Sequence, residues 1–156
     1  MARVYIETSV PSFYHESRAD PELVAWREAT RRWWDRYGSA YELCTSIVTI
    51  EELKAAPPAK SEPCLAMLRD VELLPMPDGV GEVIEYYVEQ QLMPRGPDAA
   101  HVAIASMHRV DFLLTWNCRH IANANKVRHL GVLNGRLGIP VPVLTTPLGL
   151  VPENEP

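Results

Sequence analysis

A three-layer α/β/α domain built on a parallel sheet is the fold class this sequence predicts, and three observations carry that prediction. Short, continuously apolar runs at Val4-Tyr5-Ile6, Asp111 to Trp116 and Val141 to Thr145 alternate with stretches whose apolar residues recur every three or four positions. Strands that are apolar throughout are those covered on both faces, the condition of a parallel sheet between helices. The chain has 156 residues, enough for one core that buries roughly two thirds of the unfolded surface without disulfides or metals.

The elements follow in order. Val4 to Ile6 is β-branched and aromatic, and Thr8-Ser9-Val10-Pro11 closes it, so a first strand is expected to run into a loop. From residue 22 to 37, Leu23, Trp26, Ala29, Thr30, Trp33, Trp34 and Tyr37 lie three or four apart with charges elsewhere on the wheel, which predicts an amphipathic helix ended by Gly38. Trp33 and Trp34 are adjacent and cannot both face inward, so this stripe is expected to serve as core or as a dimer interface. Tyr41 to Thr45 is a second strand, after which Ser46 caps a helix over Ile47 to Ala56 that Pro57-Pro58 stops. Ser61 is expected to cap another helix, followed by a strand at Glu72 to Met76 and the turn Pro77-Asp78-Gly79. Val80 to Leu92 carries a clear helical stripe, and beyond the rigid PRGP connector Ala99 to Met107 is small and apolar enough to be buried on most sides. The last strands are Asp111 to Trp116 and, after the turn-forming Gly138 and Pro140, Val141 to Thr145. Residues 1 to 150 are expected to form one domain, with 151 to 156 as a flexible C-terminal tail.

With 47% hydrophobic and 22% charged residues the chain is not a disordered one. Its net charge of −5 argues against a general polyanion-binding surface. The acidity is regional, however, because residues 112 to 152 hold Arg119, Lys126, Arg128 and Arg136 and no Asp or Glu. The N-terminal MARVYIETSV lacks the apolar core of a signal peptide, and no stretch approaches the roughly 20 apolar residues of a membrane span, so a cytoplasmic protein without a membrane partner is expected. Cys44, Cys64 and Cys118 form no CxxC pair and are expected as reduced thiols.

In open α/β sheets ligands bind beyond the carboxyl ends of the strands, where strand order reverses. Glu7 follows the first strand, Asn117 follows the DFLLTW strand, Glu51 and Glu52 lie in the helix after the second strand, and Asp98 opens the buried helix. Singly, each has an ordinary structural explanation: a helix N-cap for Asp98, solvated helix charges for Glu51 and Glu52, turn geometry for Asn117. Glu7 is different, because a carboxylate ending a central strand is poorly solvated and must find a partner, a cation or a proton. Carboxylates that crowd without basic partners repel one another, and a hard divalent cation relieves the repulsion.

YIETSV at 5 to 10, SIVTIEEL at 46 to 53, PDAAHVAIA at 97 to 105 and LLTWN at 113 to 117, in this order and spacing, resemble the PIN-domain nucleases, in particular the VapC-like toxins of bacterial toxin–antitoxin pairs. The resemblance runs from Val4 to about Thr146. It implies an α/β/α sandwich with strand order 3-2-1-4-5, an acidic pocket holding Mg²⁺ or Mn²⁺, cleavage of RNA to a 5′-phosphate and a 3′-hydroxyl, a cognate antitoxin and a homodimer. It places Glu7, Glu52, Asp98 and Asn117 as catalytic residues, with Glu7, Glu52 and Asp98 on the metal; adjacent Glu51 is an alternative to Glu52. Thr8 or Ser9 matches the family's hydroxyl residue after the first acid, and Ser9 is expected to contact substrate. Two departures stand out: Glu7 is one methylene longer than the family's Asp, and Asn117 keeps an oxygen but lacks the charge of the Asp many members have. A single Mg²⁺, which commonly takes only one or two protein carboxylates and several waters, is still expected to bind.

The segment CRHIANANKVRH after Asn117 supplies Arg119, His120 and Lys126 as expected contacts to RNA phosphates; the alternative is a solvated basic helix face. His101 is expected to be a packed or hydrogen-bonded helix residue rather than a general base. Cys118, His120 and His129 match no zinc-site spacing, and no dinucleotide, Walker, G-x-S-x-G or H-E-x-x-H signature occurs. The rival to an endoribonuclease is a PIN-like protein that has lost catalysis and serves as an RNA- or protein-binding module, a reading motivated by Glu7 and Asn117.

Overall fold

The computed structural model describes residues 1–155. Five parallel strands, β1 (Arg3–Ile6), β2 (Glu42–Ser46), β3 (Glu72–Leu74), β4 (Phe112–Leu114) and β5 (Val143–Thr145), form one sheet in the order β3-β2-β1-β4-β5. The strand order reverses beside β1, between β1 and β4, and this is the expected three-layer sandwich. Val4 and Ile6 point to one face and Tyr5 to the other, as the two-residue repeat of a strand requires. On the Tyr5 face lie α5 (Val80–Glu89), α6 (Pro97–Met107) and α7 (Ala124–Leu137), packed through Tyr87, Val102, Ile104, Leu130 and Leu133. On the Val4 face lie α1 (Ser9–Tyr14), α2 (Pro21–Arg32), α3 (Ile47–Lys54) and α4 (Pro58–Met67), packed through Val10, Leu53 and Cys64.

Three local expectations need correction. The loop after β1 is the helix α1: Pro11 sits in its first turn, where a backbone N–H has no intrahelical acceptor, so proline ends the strand without breaking the helix. The helix expected over 22 to 37 is α-helical only to Arg32 and continues as a π-helical turn, Trp33–Tyr37, before a short 3-10 turn at Gly38–Ala40. That turn buries Trp33 and Tyr37 and leaves Trp34 partly covered, which resolves the conflict between adjacent tryptophans. The helix expected to be capped by Ser61 starts earlier, because Pro58 takes its first position and Ser61 is interior. The basic segment after Asn117 includes α7, capped by the Asn123 side chain on the backbone N–H groups of Asn125 and Lys126 and ended by Gly138 in the left-handed region.

Residues 147 to 155 return over the Val4 face. Trp33 donates its indole N–H to the Leu150 carbonyl at 2.8 Å, and Arg36 pairs with Glu155. Pro156 lies outside the described residues. Among these, no helix is long and apolar enough to cross a membrane.

Gly131 and Gly135 lie on the exposed side of α7, and nothing stands within 4 Å of a β-carbon built at either. Gly131→Ala and Gly135→Ala are each expected to stabilise the fold by about 1 kcal/mol, through helix propensity alone, read from urea unfolding. Destabilisation by either would mean that α7 is covered in solution.

Glu16, buried just after α1, accepts from the Arg18 backbone N–H at 3.0 Å and from its guanidinium at 2.7 and 3.0 Å, with Lys60 4.0 Å away. The Arg18 side-chain hydrogen bonds are the main cause that holds its carboxyl down at about 2, against a smaller opposing effect of burial. A carboxyl so depressed stabilises the fold above its ordinary value of 4.5, and that contribution fades as pH falls from there towards about 2. Wild type and Glu16→Gln are therefore expected to differ in urea stability at neutral pH and to converge as pH falls through this window. A gap that stays constant with pH would contradict the assignment.

Candidate active site

Glu7 is the first residue beyond β1, and its backbone N–H still bonds to the Leu114 carbonyl of β4 at 3.1 Å. Its side chain is 5% exposed, and one oxygen, Oε1, receives three hydrogen bonds. The Ser9 backbone N–H donates at 2.8 Å, the Thr115 hydroxyl at 2.9 Å, and the Ser9 hydroxyl also donates. Both hydroxyls are themselves held by the loop after β4: Trp116 N–H donates to Ser9 Oγ at 2.8 Å, and Asn117 N–H donates to Thr115 Oγ1 at 2.9 Å. The buried carboxylate thus finds its partners in two adjacent strand ends, as its position demanded.

Glu52 of α3 faces the same strand end. Its Oε1 accepts from the Thr8 hydroxyl at 2.6 Å and from His101 Nε2 at 2.5 Å. Burial is the largest influence on this carboxyl and opposes ionisation, but the hydrogen bonds from His101 and Thr8 lead the contributions that outweigh it and hold the group below its ordinary value. Glu51, one residue earlier, is exposed and lies 4.0 Å from Lys54. Glu52 is therefore the glutamate that turns into the pocket.

Asp98 lies in the first turn of α6, half-buried, one turn before His101. Pro97 opens this helix, so Asp98 is not the N-cap. His101 is wholly buried, and its Nδ1 lies 2.7 Å from the Tyr5 hydroxyl, which lies 2.6 Å from Ser46 Oγ. Burial, more than any other cause, keeps the Tyr5 phenol well above its ordinary value.

Glu7, Ser9 and Asn117 thus meet in one hydrogen-bonded group, and Glu52 joins them through Thr8. The Asn117 side-chain oxygen is spent on the His120 backbone N–H at 2.9 Å, where it shapes the loop. Arg119 is exposed, the His120 ring leaves a buried Nδ1 without a partner, and Lys126 donates to the Leu92 carbonyl. Three residues of the site escaped the sequence reading: Tyr5, Thr115 and Ser46 beyond its cap. The available signal was Tyr5 itself, since a tyrosine in the central strand of a covered sheet must find a partner for its hydroxyl.

Among the described residues, no three His, Cys, Asp or Glu side chains are grouped to hold a metal ion. A cation caged by three protein ligands does not fit the pocket as it stands. A hydrated Mg²⁺ demands less, because it takes one or two carboxylates and completes its shell with waters and substrate phosphate. Oε2 of Glu7, Oε2 of Glu52 and both oxygens of Asp98 accept no hydrogen bond from any described residue.

No protein-family model matches this chain, and no curated protein matches it. Solved structures do. VapBC2 from Rickettsia felis, bound to a DNA fragment from its promoter, aligns with TM-score 0.58 at 13% identity, over 92% of this chain and 98% of that one. FitAcB from Neisseria gonorrhoeae gives 0.54 at 15% identity over 94% and 99%, and a toxin–antitoxin complex from Klebsiella pneumoniae gives 0.54 at 16% over 79% and 93%. At these identities the likeness is one of fold: the chain has the PIN-like architecture of these proteins.

Proposed function

We propose that this protein is a Mg²⁺- or Mn²⁺-dependent endoribonuclease, the toxin of a toxin–antitoxin pair, held inactive by a cognate antitoxin and working as a cytoplasmic homodimer. The observation that carries this reading is the position of Glu7, Glu52 and Asp98. Glu7 follows β1 directly, Glu52 of α3 meets Thr8 just beyond it, and Asp98 stands one turn before His101, which touches Glu52, on the side of β1 where the strand order reverses. The toxin and antitoxin roles are supported by the fold neighbours.

One or two of Glu7, Glu52 and Asp98 would hold the hydrated ion directly through oxygens left free of protein donors, and the rest through its waters; when bound, it would supply an acidified water and stabilise charge on the phosphoryl oxygens. Ser9 and Thr115 fix the Glu7 carboxylate, and Thr8 and His101 fix that of Glu52, so the pocket presents its anionic oxygens without reorganising. Arg119 and His120, on the loop that follows, are the proposed phosphate contacts, with Ser9 and Lys126 acting through the loops they tether.

The test is incubation of structured and single-stranded RNA with the purified protein and Mg²⁺, Mn²⁺ or EDTA. Cleavage that needs the metal supports the reading. The second reading, a PIN-like binding module, is favoured by the missing charge at Asn117 and the threefold-bonded Glu7 oxygen; it wins if RNA is bound with a steep salt dependence but never cut. Metal binding has its own readout. Mn²⁺ at a hundred times its Kd is expected to add about 2.7 kcal/mol and raise Tm measurably, and no shift at saturating metal would count against a cation site.

A further inference from the structure

His101 is too deeply buried to touch a substrate, and both its ring nitrogens are engaged, yet it contacts three elements that build the pocket. The hydrogens along this chain order themselves in one direction. Val48 N–H takes one lone pair of Ser46 Oγ at 3.2 Å, and the Ser46 hydroxyl hydrogen is available to Tyr5 Oη at 2.6 Å once the phenol hydrogen goes to His101. The Tyr5 phenol stays protonated and passes its own hydrogen to His101 Nδ1 at 2.7 Å. An accepting Nδ1 leaves the ring hydrogen on Nε2, which faces Oε1 of Glu52, a carboxylate oxygen that only accepts. The chain also closes on itself, since Ser46 is the N-cap of α3 and α3 carries Glu52.

We propose that His101 is a positioning residue of the pocket, which holds Glu52 in one orientation between α3 and α6 by donating from Nε2–H, with its Nδ1 anchored by the Tyr5 hydroxyl. The proposal deepens the nuclease reading and rests on it for its effect on turnover. A carboxylate with one oxygen pinned by His101 and Thr8 turns the other outward, and partners of this kind are worth about tenfold to a hundredfold in metal affinity or activity.

The experiment compares wild type with Tyr5→Phe, which removes one hydroxyl and leaves His101 and Glu52 in place. In ¹⁵N NMR the wild-type His101 is expected to show a protonated Nε2 and a bare Nδ1 that accepts a hydrogen bond, and Tyr5→Phe is expected to shift the Nδ1 resonance to that of a nitrogen without a donor while Glu52 keeps the hydrogen on Nε2. With Mn²⁺ and RNA, Tyr5→Phe is expected to lower kcat by about tenfold to a hundredfold with KM little changed. His101→Gln, whose amide nitrogen reaches the place of Nε2, is expected to retain cleavage that His101→Leu loses. Ser46→Ala breaks the chain one link earlier and serves if Tyr5→Phe does not fold. An Nδ1–H tautomer in the wild type, an Nδ1 resonance unmoved by Tyr5→Phe, or full cleavage by His101→Leu overturns the proposal. A wild type that cuts no RNA overturns the nuclease reading instead, and the ¹⁵N comparison, which needs no turnover, then decides the positioning role by itself.

Discussion

Glu52→Gln is expected to lower RNA cleavage by more than about a hundredfold, since even the outer partners of metal-binding carboxylates are worth 10- to 100-fold, while the protein stays folded. The glutamine keeps an oxygen where Thr8 and His101 donate, so the bonds that tie α3 to β1 and α6 persist. Its amide nitrogen replaces the free oxygen, Oε2, and presents hydrogens where a cation would need a negative charge. Asp98→Asn is expected to act similarly, because this side chain has no hydrogen-bond partner among the described residues and its loss costs the helix little beyond a dipole interaction of about 0.3–1 kcal/mol. Glu51→Gln, exposed beside Lys54, is the matched control and should cut RNA normally. Cleavage rates with Mn²⁺, together with unchanged far-UV spectra, check this; a Glu52→Gln protein as active as wild type would remove Glu52 from the site.

Trp33→Ala is expected to destabilise the fold by about 3–5 kcal/mol, the range for deleting a large aromatic from a core. Trp33 is wholly buried, heads the fully buried side chains by volume, and stacks on Tyr41 with ring centroids 5.8 Å apart and planes 17° from parallel. Its truncation also strands the Leu150 carbonyl that accepts its indole N–H, a group then buried without a donor. Because native domains are stable by only about 5–15 kcal/mol, the variant should unfold at much lower urea and lose the anchorage of residues 147 to 155. Trp34→Ala, on the half-covered neighbour, should cost far less. Urea curves of the two variants decide it, and equal losses would mean that the π-helical turn does not select between them.

Much of the fold was legible because its signals are local. The stripes of α5 and α6 and the apolar runs of β1 and β4 each lie within a dozen residues, where the period distinguishes helix from strand. The readings that failed involve proline and the last turn of α2. Pro11 and Pro58 act according to their position within a turn, which composition does not specify. The π-helical turn at Trp33 belongs to the tertiary packing, where Trp33 is buried in the core of the Val4 face and Trp34 packs partly covered at its edge.

The sequence by itself determined that a parallel sheet would be covered on both faces and that an acid would end its central strand, since both follow from residue type and spacing along a short stretch. Only the tertiary structure decided which glutamate of the Glu51-Glu52 pair turns inward, which oxygen of Glu7 is consumed by Ser9 and Thr115, and that His101 belongs to the site. The physical reason is distance along the chain. Glu52 meets Thr8 across 44 residues, His101 across 49, and Tyr5 meets His101 across 96. Such pairings exist only once β1 stands between β2 and β4, and no periodicity within one element carries that neighbour relation.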